Sequence, residues 1–153
     1  FNAFNFLKQL KNFTHTFITP AHMTALMKTK SFKDCNLKGK RILGGSDPVT
    51  WEMIEAFVSK GAIVQPNWGM SEIGPTAINI VFYDLDQIKE VKRQSPLPLD
   101  KWSILGNNYY CDWKIENWEL LVKGDICIYD GWFNTGDIVA TDLSDNLYYK
   151  GRK

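Results

Sequence analysis

Between Lys40 and Gln65 the sequence leaves the chain few paths to follow. Lys40 to Leu43 is a short apolar run closed by a glycine pair, Gly44-Gly45. Pro48 to Lys60 then carries Trp51, Ile54, Phe57 and Val58 at helical spacing, with Gly61 as the stop. Ala62 to Gln65 reads as a second strand. A strand, a helix of about a dozen residues and another strand form a crossover, which makes the two strands a parallel pair. Upstream, Thr19 can cap a helix over Pro20 to Lys30, with Met23, Leu26 and Met27 as its apolar stripe.

The pattern changes after Pro75. Ala77 to Tyr83 reads as a strand, Leu85 to Lys92 as a short helix, and Pro96 and Pro98 mark a loop. Short aromatic-rich strands follow over Tyr109 to Ile115, Glu119 to Lys123, Ile126 to Tyr129, Ile138 to Thr141 and Leu147 to Lys150. The Asp145-Asn146 pair supplies a hairpin turn. Such spacing fits an antiparallel sheet or small barrel. The expected fold class is therefore α/β, a partial parallel sheet with helices in a βαβ unit followed by an antiparallel, β-rich or small-barrel portion. Residues 1–83 form the first part and 84–153 the second.

In 153 residues, 44% hydrophobic and 14% aromatic content supports a real core in one domain or a piece of a larger one. The net charge of +1 gives no field that would draw nucleic acid or a membrane surface. Lys8, Lys11, Lys28, Lys30, Lys33, Lys38, Lys40 and Arg41 make the first third locally basic, which reads as a solvated face. Cys35, Cys111 and Cys127 have neither disulfide-like nor metal-like spacing and read as reduced thiols of a cytoplasmic protein. No apolar run approaches the ~20 residues of a membrane span, and no signal peptide is visible. His15 and His22 have no partner at catalytic or ligand spacing and read as structural, and no Ser/His/Asp or Cys/His arrangement can be argued from the sequence. A start at Phe1 rather than methionine is expected of a fragment or a processed product.

Two groups of residues carry chemistry. Gly44-Gly45-Ser46-Asp47-Pro48 lies where a strand ends and a helix begins, and glycines there let a flat ring approach the backbone. Trp68-Gly69-Met70-Ser71-Glu72 follows the next strand and should emerge at the same sheet edge, where open parallel sheets bind ligands. Far downstream, Trp132-Phe133-Asn134-Thr135-Gly136-Asp137 is followed fifteen residues later by Arg152, in Lys150-Gly151-Arg152.

In this order, with Ile73-Gly74-Pro75 extending the second piece, these motifs resemble those of the adenylate-forming ligases, the acyl-CoA synthetase and luciferase superfamily. The family pattern Tyr-Gly-x-Thr-Glu has Trp68 and Ser71 in place of tyrosine and threonine. An indole still stacks on adenine and a serine hydroxyl still donates to a phosphate. The resemblance implies a nucleotide site of Gly45, Ser46, Asp47, Asn67, Trp68, Gly69, Met70, Ser71, Asp137 and Arg152. Ser46, Asp47 and Trp68 would surround adenine, and Asp137 with Arg152 would hold the ribose. Ser71 and Glu72 would be catalytic, at the α-phosphate and on Mg²⁺, a hard cation suited to carboxylate oxygens. Gly69, Met70 and Gly74 would line an acyl channel.

The implied reaction uses ATP to convert a carboxylic acid substrate to an acyl-adenylate, then transfers the acyl group to a thiol acceptor such as coenzyme A. The family's Gly-rich phosphate loop and its small C-terminal domain are not among these residues. The resemblance thus covers a fragment of the large N-terminal domain, one needing the remainder of the ligase fold and inactive alone. The segment Glu119 to Gly124 resembles a family strand, with a shortened connection to the Thr-Gly-Asp motif. Two other readings stand beside this one, a non-catalytic ligase-like module that binds nucleotide or protein, and an unrelated α/β protein with chance motifs.

Overall fold

The crossover helix begins at Thr50, whose hydroxyl accepts the Met53 N–H at 3.3 Å. That bond satisfies one of the donors orphaned at a helix start, and α4 runs over Trp51–Ser59. The structure is a computed structural model describing Phe1–Lys153. Trp51, Ile54, Phe57 and Val58 are all buried on one face of α4. At about 1.5–3 kcal/mol for each large apolar side chain fully removed from water, that face anchors the helix. Gly61 turns the chain back at φ 92°, and the Ala62 N–H returns to the Phe57 carbonyl.

The flanking strands, β2 (Arg41–Gly44) and β3 (Ile63–Met70), pair in parallel with Gly44 opposite Pro66. β1 (His15–Ile18) adds a third parallel strand beside β2. β3 folds back antiparallel onto β4 (Gly74–Asn79), and β6 (Asn108–Tyr109) closes the other edge. The first sheet has the order β1-β2-β3-β4-β6. The second is antiparallel and joins β5 (Ser103–Gly106), β10 (Leu147–Arg152), β9 (Phe133–Thr141), β8 (Glu119–Lys123) and β7 (Asp112–Glu116) in that order. The remaining helices are α1 (Ala3–Leu10), α2 (Pro20–Met27), α3 (Lys30–Lys33) and α5 (Leu85–Gln94).

Two cores bind the sheets together. In one, Met23, Ile54 and Ile88 pack with Trp102, Ile104, Ala140 and Tyr148 from the second half of the chain. In the other, Trp68, Ala77 and Ile78 of the first sheet meet Leu105, Leu120, Val139 and Leu147 of the second. No helix is long and apolar enough to cross a membrane.

The α/β class with a partly parallel and an antiparallel sheet is as expected, and the differences are local. The stretch Pro20 to Lys30 is two helices, because Thr29 donates its hydroxyl to the Leu26 carbonyl at 2.7 Å and accepts the Phe32 N–H at 3.2 Å. It ends one helix and caps the next. The strand expected over Ala77 to Tyr83 starts earlier and stops at Asn79, and Phe82 makes only an isolated bridge to Val64. Tyr109 to Ile115 divides between the two sheets.

Ile126 to Tyr129 forms no strand, contrary to expectation. Both edges of β8, the strand just before it, are taken by β7 and β9, so the segment cannot pair back on its own predecessor. Instead the Cys127 N–H closes a turn on Gly124, and the Ile128 N–H reaches the Glu72 carbonyl at 2.9 Å.

Candidate functional site

The parallel pairing of β2 and β3 brings the Gly44-Gly45 turn beside Trp68-Gly69-Met70, which forms the end of β3 rather than following it. Asn67 ties them together, its Nδ2 donating to the Gly44 carbonyl at 2.9 Å. A Cβ on Gly45 would stand 2.8 Å from Asn67 Oδ1 and 3.1 Å from the Asn67 carbonyl oxygen. Glycine is what permits this approach. Ser46 follows with φ 74°, a left-handed conformation that costs a side-chain-bearing residue roughly 1–2 kcal/mol.

The Thr135-Gly136-Asp137 motif lies within strand β9. Arg152 lies opposite Asp137 in the β9–β10 register, so the fifteen-residue separation is the length of one hairpin. Thr135 Oγ1 donates to the Leu120 carbonyl at 2.8 Å and accepts the Asp137 N–H at 3.1 Å. Gly136, at φ 76°, donates its N–H to Glu119 Oε1 at 3.0 Å, and Lys153 Nζ lies 3.1 Å from Glu119 Oε2. Buried bonds to β8 thus hold the Thr-Gly-Asp backbone in place.

The motifs meet across the two sheets. Trp68 Nε1 donates to Asp137 Oδ2 at 2.8 Å, and both residues are buried. Arg152 Nη1 lies 3.2 Å from Asp137 Oδ1 as an ion pair, yet no hydrogen bond is directed at that buried oxygen. Trp68, Asp137 and Arg152 share the wall of a cavity of about 200 Å³ with Ser46, Asp47, Asn67 and Gly69. An adjoining cavity of about 340 Å³ shares Ser46, Asn67 and Gly69 and is bounded by Phe17, Met70, Ser71 and Gly74. Gly45 packs against Asn67, and neither Gly45 nor Glu72 borders either cavity.

Tyr149, Ile104 and Leu105 also line the first cavity and were not among the residues singled out from the sequence. Strict alternation would put Tyr149 and Arg152 on opposite faces of β10. A register shift between Tyr149 and Gly151 brings both to the same cavity, the re-aiming that bulges produce. No local residue pattern announces that shift. Glu119 was read only as part of a strand, although it is the buried carboxylate that clamps Gly136.

Burial pushes the Asp137 carboxyl above its ordinary range, opposed by the Trp68 hydrogen bond and the Arg152 charge and reinforced by Glu119. Lys153, with the Gly136 N–H, holds Glu119 below its range. A raised folded-state pKa means that the Asp137 proton favours folding. That contribution is complete below the unfolded value of about 3.9 and is lost as pH rises through the folded value. Glu119 behaves oppositely. Its contribution is present above about 4.3 and is lost as pH falls through its lowered value.

On acidification from about pH 7 to about pH 3, the melting temperature of the wild type should gain on that of Asp137→Asn and, below about 4.3, lose ground to that of Glu119→Gln. Circular dichroism melts of the three proteins test this. A pH-independent difference for Asp137→Asn would rule out a buried carboxylate with a raised pKa.

Comparison with known proteins places the fold. No family profile and no curated protein matches the sequence. Among solved structures, the N-terminal domain of FACL13 from Mycobacterium tuberculosis shares 17% identity at TM-score 0.73 over 99% of this chain and 42% of its own. The o-succinylbenzoate CoA synthetase MenE of Bacillus subtilis, a double mutant bound to its product analogue OSB-NCoA, shares 19% identity at TM-score 0.76 over 100% and 34%. A Mycobacterium tuberculosis fatty acyl CoA synthetase shares 17% at TM-score 0.72 over 99% and 33%. The chain thus spans between 33% and 42% of the length of these three. It has the fold of part of the N-terminal domain of the adenylate-forming ligases, as the motif resemblance implies.

Proposed function

We propose that this chain is the nucleotide-binding part of an ATP-dependent ligase that activates a carboxylic acid as an acyl-adenylate and passes the acyl group to a thiol such as coenzyme A. The observation that carries this reading is the meeting of Trp68, Asp137 and Arg152 with the Ser46-Asp47 turn around one cavity. The substrate carboxylate would attack the α-phosphorus of ATP and expel pyrophosphate. The thiol would then attack the acyl carbonyl and expel AMP. Ser46 and Asp47 would border the adenine, Asp137 and Arg152 the ribose, and Ser71 in the adjoining cavity the α-phosphate. The work of such a site is orientation and charge stabilisation.

Glu72 is the carboxylate that would hold Mg²⁺, and it has no cluster of further acidic or histidine ligands around it. That donor set fits an ion delivered with nucleotide phosphates, because Mg²⁺ commonly takes one or two carboxylates and completes its shell with water and phosphate. Bound there, Mg²⁺ would offset the phosphate charge.

Titration calorimetry with AMP tests the proposal. The chain should bind AMP saturably, and alone it should catalyse no carboxylate-dependent pyrophosphate exchange. A folded chain that ignores AMP sinks the reading, and exchange by the chain alone sinks its status as an incomplete enzyme. A second reading, a nucleoside-binding module without catalysis, draws on Glu72 lying outside both cavities. The gene sequence upstream separates the two, since a Gly-rich phosphate loop ending in lysine there favours the ligase.

A further inference from the structure

The near-neutral net charge conceals an uneven distribution. Eight of the 18 cations but only one of the 17 carboxylates, Asp34, fall within the first 46 residues, so +7 there and −6 over the remainder sum to +1. Charge asymmetry of that size points to an anionic surface as partner. None of these eight cations forms an ion pair. Lys40 and Arg41 are half-buried and engaged within the fold, Lys40 donating to the Lys11 and Phe13 carbonyls and Arg41 to Gln65. The other six are exposed lysines.

Helix α1 sets an apolar side chain among them. Phe6, Leu7 and Leu10 turn inward onto the core. That leaves Phe4, Lys8 and Lys11, at spacing i, i+4 and i+7, along the outer stripe of the chain. Phe4 is 81% exposed. It borders an open groove of about 550 Å³ that it shares with Ala21 and Ala25 of α2 and with Lys28 and Lys30. Lys33 lies one turn beyond Lys30 on α3.

An exposed phenylalanine among unpaired lysines is the composition of an interfacial surface, where the ring enters the headgroup layer and the cations meet lipid phosphates. The charge would draw nucleic acid as well, but the alanines of the groove offer only methyl groups where base edges need hydrogen-bond partners. We propose that the outer face of α1, α2 and α3 docks on an anionic phospholipid surface, with Phe4 in the headgroup layer and Lys8, Lys11, Lys28, Lys30 and Lys33 against lipid phosphates. The excess carboxylates of the remainder are repelled by the same surface, which gives attachment one orientation. This face shares no residue with either cavity of the candidate site, so docking and nucleotide binding are separable.

Vesicle co-sedimentation tests this on the chain itself. It should bind vesicles of equal parts phosphatidylcholine and phosphatidylserine and ignore vesicles of phosphatidylcholine alone. Raising salt from about 0.1 M to about 1 M shortens the screening length from about 10 Å to about 3 Å and should release it. Each lysine near such a surface is worth about fivefold in affinity, so Lys8→Gln with Lys28→Gln should weaken binding about twentyfold. Phe4→Ser should weaken it about tenfold. Lys89→Gln with Lys101→Gln, the same charge change outside this face, should alter binding by less than about threefold.

All five positions are exposed, and circular dichroism melts check that each variant folds. Lys30→Gln with Lys33→Gln replaces the first pair should that pair fail to fold. Equal binding to both kinds of vesicle, no binding to the anionic one, or equal losses for the two lysine pairs overturns the proposal. So does Phe4→Ser binding as tightly as wild type. A chain that ignores anionic vesicles and binds single-stranded polyuridylate also overturns it, since the face then serves nucleic acid.

Discussion

Gly106→Ala is expected to lower the unfolding free energy by about 4 kcal/mol, combining backbone strain and overpacking. Gly106 ends β5 at φ 136°, where a side chain is strained whatever the space around it. The space is also absent. A Cβ would stand 2.1 Å from the carbonyl carbon and oxygen of Asn79 and 2.7 Å from the Ile80 nitrogen. All three obstacles are backbone atoms, so no rotamer change relieves the clash and the two sheets must separate locally. Ile104 and Leu105 on the same strand line the cavity, so the site would loosen with the fold.

Gly131→Ala is the matching control. Gly131 also has positive φ, at 82°, but nothing lies within 4 Å of its Cβ position. It should cost only about 1–2 kcal/mol, the strain contribution alone. Urea unfolding of the two variants reads both numbers. With a typical domain stable by about 5–15 kcal/mol, the first loss should move the midpoint conspicuously. A Gly106→Ala penalty no greater than that of Gly131→Ala would mean that the sheets do not approach each other at this point.

The crossover was legible because three signals agree over Lys40 to Gln65. Period-3.6 apolar residues on the helix, β-prone runs on either side and glycine at the exit all point to one path. The short strands β1 and β5 had no such agreement. Each has four residues, too few to display a period, and each is defined by the strand beside it. Ile126 to Tyr129 shows the converse. Its residues suit a strand, but both edges of the preceding β8 are occupied and Ile128 is left 68% exposed. At the site, residue types and chain order were readable from the motifs. That the Trp68 indole turns its N–H to a carboxylate 69 positions away depends on how one sheet lies on the other, and the β10 bulge that places Tyr149 depends on pairing with β9. Local sequence encodes neither.

Asp137→Ala should weaken AMP binding by about 2 kcal/mol and destabilise the fold by a similar amount, for separate reasons. The affinity loss follows from removing the carboxylate proposed to border the ribose. The stability loss follows from the donor left behind. Trp68 Nε1 lies in a buried cluster with no second acceptor, and a stranded buried donor costs about 1–3 kcal/mol. Arg152 adds little to this cost, because its 61% exposed side chain can turn to water. Part of the loss is offset, since deletion also removes a carboxylate whose ionised form burial disfavours. Asp137→Asn separates the two effects. Its amide oxygen can still accept from Trp68, so stability near neutral pH should stay within about 1 kcal/mol of wild type, while the lost negative charge should weaken AMP binding nearly as much as alanine does. Calorimetry with AMP and urea unfolding on the same two variants measure both quantities. If Asp137→Asn retains full affinity, the carboxylate does not serve the nucleotide. If Asp137→Ala is as stable as wild type, the indole–carboxylate bond does not hold the sheets together.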